Sequence, residues 1–573
     1  MNRTKFLYQM GRYTDAVTAS LTRLREGRII PRILDHDHTI WKENPAEIVN
    51  RFGWLKSPEN MVKEIPRLED LVRNTRNDGY THALLLGMGG SSLAPDLLGK
   101  VFGVREGYLD LRVLDTTDPA AVRAHAERLD LSRTLFVVST KSGTTSETLA
   151  FFRYFYNRTL EKLGVQDAGN HFIAITDPGS ALHTLANDLG FRETFLNDPD
   201  IGGRYSALSF FGLVPAALLG IDIGLLLEKA ESMARQSRLP DPTEGRNTGA
   251  VLGAILGTLQ TLGRDKLTLI SSPILSPLGA WIEQLLAEST GKEGKGILPV
   301  EGELPGSPAV YGTDRLFVSL SLNGDITFEA RVLALEKAGH PVVRIELSNP
   351  YDIGAEFYRW EMATAVAGYF MGINPFDQPD VESAKIQARR MIEEYRVQGL
   401  LPATTPALLE SGIEIHSFSP VNSLKNAMEK FLGLAETGGY VALQAYINPT
   451  PEAALVLDEL RLRIRDRLKV ATTVGFGPRF LHSTGQLHKG DRGNGLFIQI
   501  TSQDKEDLPI PDNPGERGSS ITFGVLKAAQ AMGDRQALID AGRKVIRFHI
   551  NGDVVEGIRD LSTAVADSSV SGG

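Results

Sequence analysis

Between Tyr80 and Thr176 four short, mostly apolar runs each end in a turn of small or polar residues: His82–Leu86, Asp110–Leu114, Leu135–Val138 and His171–Thr176. Helix-length segments, notably Glu147–Lys162 and Ser180–Asp188, lie between and after them. Runs that are apolar on successive residues predict strands buried on both faces, and intervening helices predict parallel connections. The same grammar resumes after the polar, Pro- and Gly-containing connection Arg235–Asn247. Its expected strands are Leu267–Ile270, Leu316–Leu320 and Val342–Leu347, and its helices Leu278–Glu288, Thr327–Ala338, Ala355–Phe370 and Val381–Tyr395. A third region, from about residue 400, holds expected strands Val441–Ile447, Leu496–Ile500 and Val545–Ile550 and helices Pro451–Arg465 and Phe523–Ala531. The expected class is α/β, with two parallel-sheet sandwich domains and a C-terminal α/β extension. The boundaries are 1–79 for an N-terminal helical segment, then 80–235, 248–396 and 397–573. Within the first of these, Pro58–Asp78 reads as one charged helix, and the last dozen residues of the chain read as a tail.

Composition narrows the function. The chain has 573 residues, 42% of them apolar, enough for several cores. A net charge of −9 argues against nonspecific binding to nucleic acid or an anionic membrane. The absence of cysteine excludes disulfides, a thiolate nucleophile and Cys-ligated metals. No run of 18 apolar residues occurs, and the N-terminus lacks the apolar core of a signal peptide, so a cytoplasmic location is expected. His36-Asp37-His38 is a tempting metal motif, but without a second cluster it reads as structural, and neither metal nor cofactor is expected.

The turns after the strands carry the chemistry, because ligands of parallel sheets sit beyond the carboxyl ends of the strands. Thr140-Lys141-Ser142-Gly143-Thr144-Thr145-Ser146-Glu147-Thr148 joins a strand to a helix and is dense in hydroxyls. Free N–H groups at the helix start, hydroxyl donors and Lys141 together suit a phosphomonoester dianion. Gly87-Met88-Gly89-Gly90-Ser91-Ser92 matches neither the P-loop nor the dinucleotide fingerprint and fits close backbone approach to a sugar phosphate. Arg204, after Gly202-Gly203, is either a surface ion-pair partner or a ligand-facing guanidinium. Gln284 and Glu288 share one face of an apolar-striped helix, so Glu288 is either a solvated helix-end charge or a desolvated general base. His482 and His488 stand in a segment of small polar residues, where a histidine can act as an acid or base.

Taken together, Phe376-Asp377-Gln378 with Glu382 and Lys385, the Ala287-Glu288-Ser289-Thr290-Gly291-Lys292 turn and the hydroxyl-rich loop resemble the phosphoglucose isomerase family. The likeness is nearest to the isomerase half of fused transaldolase/glucose-6-phosphate isomerase proteins, with no added transaldolase domain expected. It covers about residues 50–560 and implies two SIS (sugar isomerase) domains. The implied activity is interconversion of glucose 6-phosphate and fructose 6-phosphate through ring opening and a cis-enediolate. A broader isomerase that also takes mannose 6-phosphate, or a non-catalytic phosphosugar sensor, are the alternatives. The resemblance assigns Thr140, Lys141, Ser142 and Thr145, with Gly90 and Ser91 nearby, to the phosphate. It assigns Gln284 and Gln378 to sugar hydroxyls, Glu288 to proton transfer and Arg204 to the enediolate charge. His482, helped by Lys385, would open the ring. The family places its histidine between the glutamate and the Phe-Asp-Gln motif and takes it from a neighbouring subunit. Here His482 follows Lys385, so the choice between His482 and His488, the donor chain and a homodimeric state stay open.

Overall fold

The computed structural model describes residues 4–402 and 404–565; from residue 566 onward the tail read from the sequence lies outside the described residues. The chain opens on a mostly exposed strand, β1 (Lys5–Gln9), whose partner lies in the second sheet. The segment up to residue 79 is therefore not helical throughout. The stretch read as one helix over 58–78 is two, Ser57–Val62 and Ile65–Asn77. Pro66 has no N–H to donate, so it sits in the first turn of a new helix and not inside a continuous one.

β2 (His82–Gly87), β3 (Asp110–Leu114), β4 (Thr134–Ser139), β5 (Phe172–Thr176) and β6 (Glu193–Leu196) form a parallel sheet in the order β3-β2-β4-β5-β6. The apolar runs serve two cores at once. Ala83, Leu85, Leu135, Val137, Ile173 and Ile175 face one, while Leu84, Leu86, Phe136, Val138, Phe172 and Ala174 face the other. Alternate side chains of a strand point to opposite faces, so a sheet covered on both sides needs apolar residues at every position.

The second sheet contains β7 (Lys266–Ser271), β8 (Leu298–Val300), β9 (Arg315–Leu322) and β10 (Val342–Leu347), ordered β1-β10-β9-β7-β8, with β1 antiparallel to β10. The third contains β11 (Leu408–Glu410), β12 (Ile413–His416), β13 (Tyr440–Tyr446), β14 (Ala471–Phe476), β15 (Gly495–Ser502) and, after the small hairpin β16 (Pro509–Ile510) and β17 (Ile521–Thr522), β18 (Lys544–Ile550). Its order is β11-β12-β18-β15-β13-β14. The four parallel strands of sheets two and three thus share one order, second-first-third-fourth, with an antiparallel strand beside the fourth. Sheets one and two contribute to one continuous apolar core, and the third sheet has its own.

In the first sheet β2 and β4 are neighbours although β3 comes between them in sequence. A reversal of strand order opens a crevice beyond the carboxyl ends of the two strands. The glycine loop leaves β2 there, and the hydroxyl-rich loop leaves β4.

Candidate active site

The two loops are tied together at this crevice. The Ser139 hydroxyl donates to the Ser91 carbonyl (3.2 Å), and Thr140 and Thr145 hydroxyls meet at 2.9 Å. Ser142 and Thr144 hydroxyls also lie 2.9 Å apart, both exposed. Gly143 holds a positive φ of 70°, and a Cβ there would lie 2.4 Å from the Leu182 nitrogen, so the tight turn admits no side chain. Thr145 precedes the Ser146–Leu163 helix and makes no side-chain cap, which leaves first-turn N–H groups to face an anion. Lys141 is committed elsewhere, for it pairs with Asp177 and donates to the Pro199 carbonyl at 2.9 Å. Hydroxyls and backbone N–H groups are thus the freer donors of this loop.

Gly90 lies against the Arg204 turn: a Cβ on it would fall 2.0 Å from the Gly203 carbonyl oxygen. Arg204 is buried and fully engaged. Its Nε donates to Ser289 Oγ (2.6 Å), Nη1 to Gln378 Oε1 (2.6 Å), and Nη2 to the Pro375 and Asp377 carbonyls (2.9 Å each). Nη1 lies 3.6 Å from Glu288 Oε1. Arg204 is thus not a surface ion-pair partner but a guanidinium fixed in the interior beside a carboxylate. Lys292 braces the same Asn374–Gln378 loop through the Asn374 carbonyl (2.9 Å) and Asp377 Oδ1 (2.6 Å). Burial and the neighbouring Arg204 charge lower its ammonium to about 8.

Glu288, on the Leu278–Thr290 helix, is only 8% exposed. One turn earlier, Gln284 Nε2 donates to Glu288 Oε2 (3.2 Å) and to the His482 carbonyl (2.8 Å). Gln284 Oε1 is buried without a hydrogen-bond partner among the described residues, an acceptor suited to a ligand hydroxyl. Gly89 lies at this meeting point, where a Cβ would fall 2.9 Å from Gln284 Nε2 and 3.0 Å from the His482 carbonyl. The imidazole points the other way: His482 Nε2 is 2.9 Å from Glu147 Oε1, in the first turn beyond the hydroxyl-rich loop. Burial acts to raise the Glu147 carboxyl. The His482 charge and hydrogen bond, its own backbone N–H and the Ser146 hydroxyl outweigh it and hold the group down at about 2.

His488 is placed differently. It is buried among Tyr440, Phe480 and Phe497, and burial, with Lys489 and Arg543 nearby, pushes it well below the usual histidine range. Lys385 is not brought into the cluster either. It is half exposed on the Val381–Gln398 helix, 3.8 Å from Glu382. The His36–His38 segment forms no metal cluster among the described residues: Asp37 pairs with Arg32 at 2.7 Å, and His36 stacks on Phe52.

With this geometry in place, known proteins can be set beside the chain. The phosphoglucose isomerase family profile matches residues 63–300. The glucose-6-phosphate isomerase of Rubrobacter xylanophilus is 28% identical over 417 residues, covering 64% of this chain and 94% of that protein. The enzyme of the same name from Lactobacillus helveticus is 30% identical over 383 residues, covering 58% of this chain and 84% of that protein. This chain belongs to the phosphoglucose isomerase family. The crystal structure of a glucose-6-phosphate isomerase from Chlamydia trachomatis shares the fold, with a TM-score of 0.58 and 20% identity over 70% of this chain and 89% of that one.

Several residues of this phosphoglucose isomerase family member that touch the cluster were not singled out from sequence. Glu147 was read only as the start of a helix. Gln530, on the Phe523–Asp540 helix, donates to Glu147 Oε1 at 2.7 Å. Arg479 clamps the His482 turn onto the first sheet through Asp96 (2.8 Å) and Asp115 (3.0 Å), and Ser483 Oγ donates to Glu283 at 3.2 Å. Their signal in sequence is weak, since each pairing joins residues about 200 to 380 positions apart.

Proposed function

We propose that this protein interconverts glucose 6-phosphate and fructose 6-phosphate, with Glu288 as the proton-transfer base and His482, paired with Glu147, as the ring-opening group. The observation that carries the reading is one unbroken line of contacts: hydroxyl-rich loop, Glu147, His482, Gln284, Glu288, Arg204, Gln378. It joins an anion cradle to a buried carboxylate–guanidinium pair through a histidine.

In the proposed course, the 6-phosphate is held by the first-turn N–H groups and the hydroxyls of Thr140, Ser142 and Thr145, with Ser91 and Gly90 on the facing loop. Lys141, engaged by Asp177 and the Pro199 carbonyl, is not among these donors. This remote binding energy holds the sugar carbons in register with Glu288. Ring opening puts a proton from His482 on the ring oxygen as the C1–O5 bond breaks, while the O1 hydroxyl proton passes to solvent water, C1=O forms and His482 is reprotonated from solvent. Proton count is unchanged. Glu147 keeps an ionised partner beside His482 throughout. Lys385 is left out of this step, because no contact joins it to the histidine.

Glu288 then takes the C2 proton, and the electron pair becomes the C1–C2 double bond of the enediolate. The O2 hydroxyl proton passes to O1, C2=O forms, and the proton held by Glu288 goes to C1, which gives the ketose. Arg204, immobilised by four hydrogen bonds, presents positive charge where the oxyanion develops and needs no reorganisation at that moment. Gln284 Oε1 and the Gln378 side chain offer contacts to sugar hydroxyls.

The test runs fructose 6-phosphate in deuterated water with purified protein and no added metal. Wild type should form glucose 6-phosphate and carry label into C2. Glu288→Gln, which keeps size but removes the base, should lower turnover by about 10² or more with near-normal phosphosugar affinity. A folded variant with wild-type turnover and exchange would remove Glu288 from the reaction.

A further inference from the structure

Resting on the isomerase reading above, we infer that Gln530 is a positioning residue for ring opening, orienting the Glu147 carboxylate that holds His482. The helix Phe523–Asp540 buries three polar residues, Lys527, Gln530 and Asp534, in an otherwise mainly apolar set. Spacings of three and four residues put them on one face. Each meets a different part of the site's surroundings. Lys527 pairs with Asp118 at 2.7 Å and Asp534 with Lys489 at 2.6 Å, on the short Gly485–Gly490 helix that follows His482. Between them, Gln530 Nε2 donates to Glu147 Oε1 at 2.7 Å.

Amide orientation is not left to chance. Thr117, fully buried, donates its hydroxyl to Gln530 Oε1 at 2.9 Å, so the amide nitrogen must face Glu147. The same carboxylate oxygen lies 2.9 Å from His482 Nε2, while Ser146 Oγ donates to the other oxygen at 2.8 Å. Three donors therefore hold the carboxylate. Thr117, Gln530, Glu147 and His482 form a relay that crosses three times between the first sheet and the C-terminal region. The geometry of the imidazole is set by how these two parts dock, and a reacting group misplaced by about 1 Å can lose up to 10² in rate.

The experiment separates ring opening from everything else. Exchange between the α and β anomers of glucose 6-phosphate, followed by NMR, requires the ring to open and reclose but needs no proton transfer at C2. Gln530→Met should slow catalysed anomer exchange and isomerisation together, by about tenfold, with affinity for a phosphorylated inhibitor unchanged. Thr117→Val, a milder change, should slow both by about threefold. The double variant should be no slower than Gln530→Met alone, because both changes break one relay. Anomer exchange at the wild-type rate in either single variant would overturn the inference. So would multiplying losses in the double variant, or a fall in affinity as large as the fall in rate, which marks general loosening. A wild-type protein that fails to isomerise either sugar phosphate would sink the underlying function first, before any variant is made.

Discussion

Glu147 is where opposing effects on one carboxyl can be weighed. Burial favours its neutral form, yet paired donors hold it down from the ordinary 4.5 to about 2. A carboxyl whose folded value is depressed stabilises the native state fully above its unfolded value. That contribution disappears as pH falls through the folded value. The advantage of wild type over Glu147→Gln in urea denaturation should therefore shrink steadily as pH falls below about pH 4.5. A difference that stays constant down to about pH 3 would show that the carboxylate is not held by its charge. The residue scale also shows what could be read in advance. Arg204, Gln284 and Glu288 stand out in local patterns, Gln378 through the family resemblance, and the four do lie together. Glu147, Gln530 and Arg479 do not stand out, since their meaning depends on a partner hundreds of residues away.

Loops between elements are equally constrained. Gly90 and Gly203 bring two backbone segments into contact, one leaving β2 and the other leading to Arg204. Gly90→Ala places a methyl group on a carbonyl oxygen, and neither backbone can retreat without moving a functional loop. It should destabilise the protein by about 1–3 kcal/mol in denaturant unfolding and lower turnover, by shifting Arg204. Stability and turnover both at wild-type level would show that the contact is slack. At this scale the sequence is a good guide to buried parallel strands, whose apolar runs are imposed by cover on two faces. It fails for β1, four of whose five residues are exposed, for three-residue β8, and for β14. The β14 sequence Ala-Thr-Thr-Val-Gly-Phe borders the sheet and lacks an uninterrupted apolar run. Edge strands need less hydrophobic pattern because only one neighbouring strand holds them.

Across the whole molecule, the candidate site draws Glu147 from the first sheet's helices, Glu288 from those of the second, and His482 from the loop after β14 in the third. All three come from one chain. Mixing Glu288→Gln protein with His482→Ala protein, under conditions that would reshuffle any oligomer, should therefore restore no activity. Recovery of a sizeable fraction of wild-type turnover would mean that His482 reaches into a neighbouring copy.

The wide spacing of these residues along the chain has a consequence during synthesis. Chains emerge from the ribosome N-terminus first, and domains generally fold as they appear. When residues up to Gln378 are out, the anion cradle, Glu288 and Arg204 can already assemble, while His482 and Gln530 are still unmade. On the proposed reading, the residues for phosphate binding and proton transfer are thus made before those for ring opening, and competence arrives late, with translation of the last helix that touches Glu147.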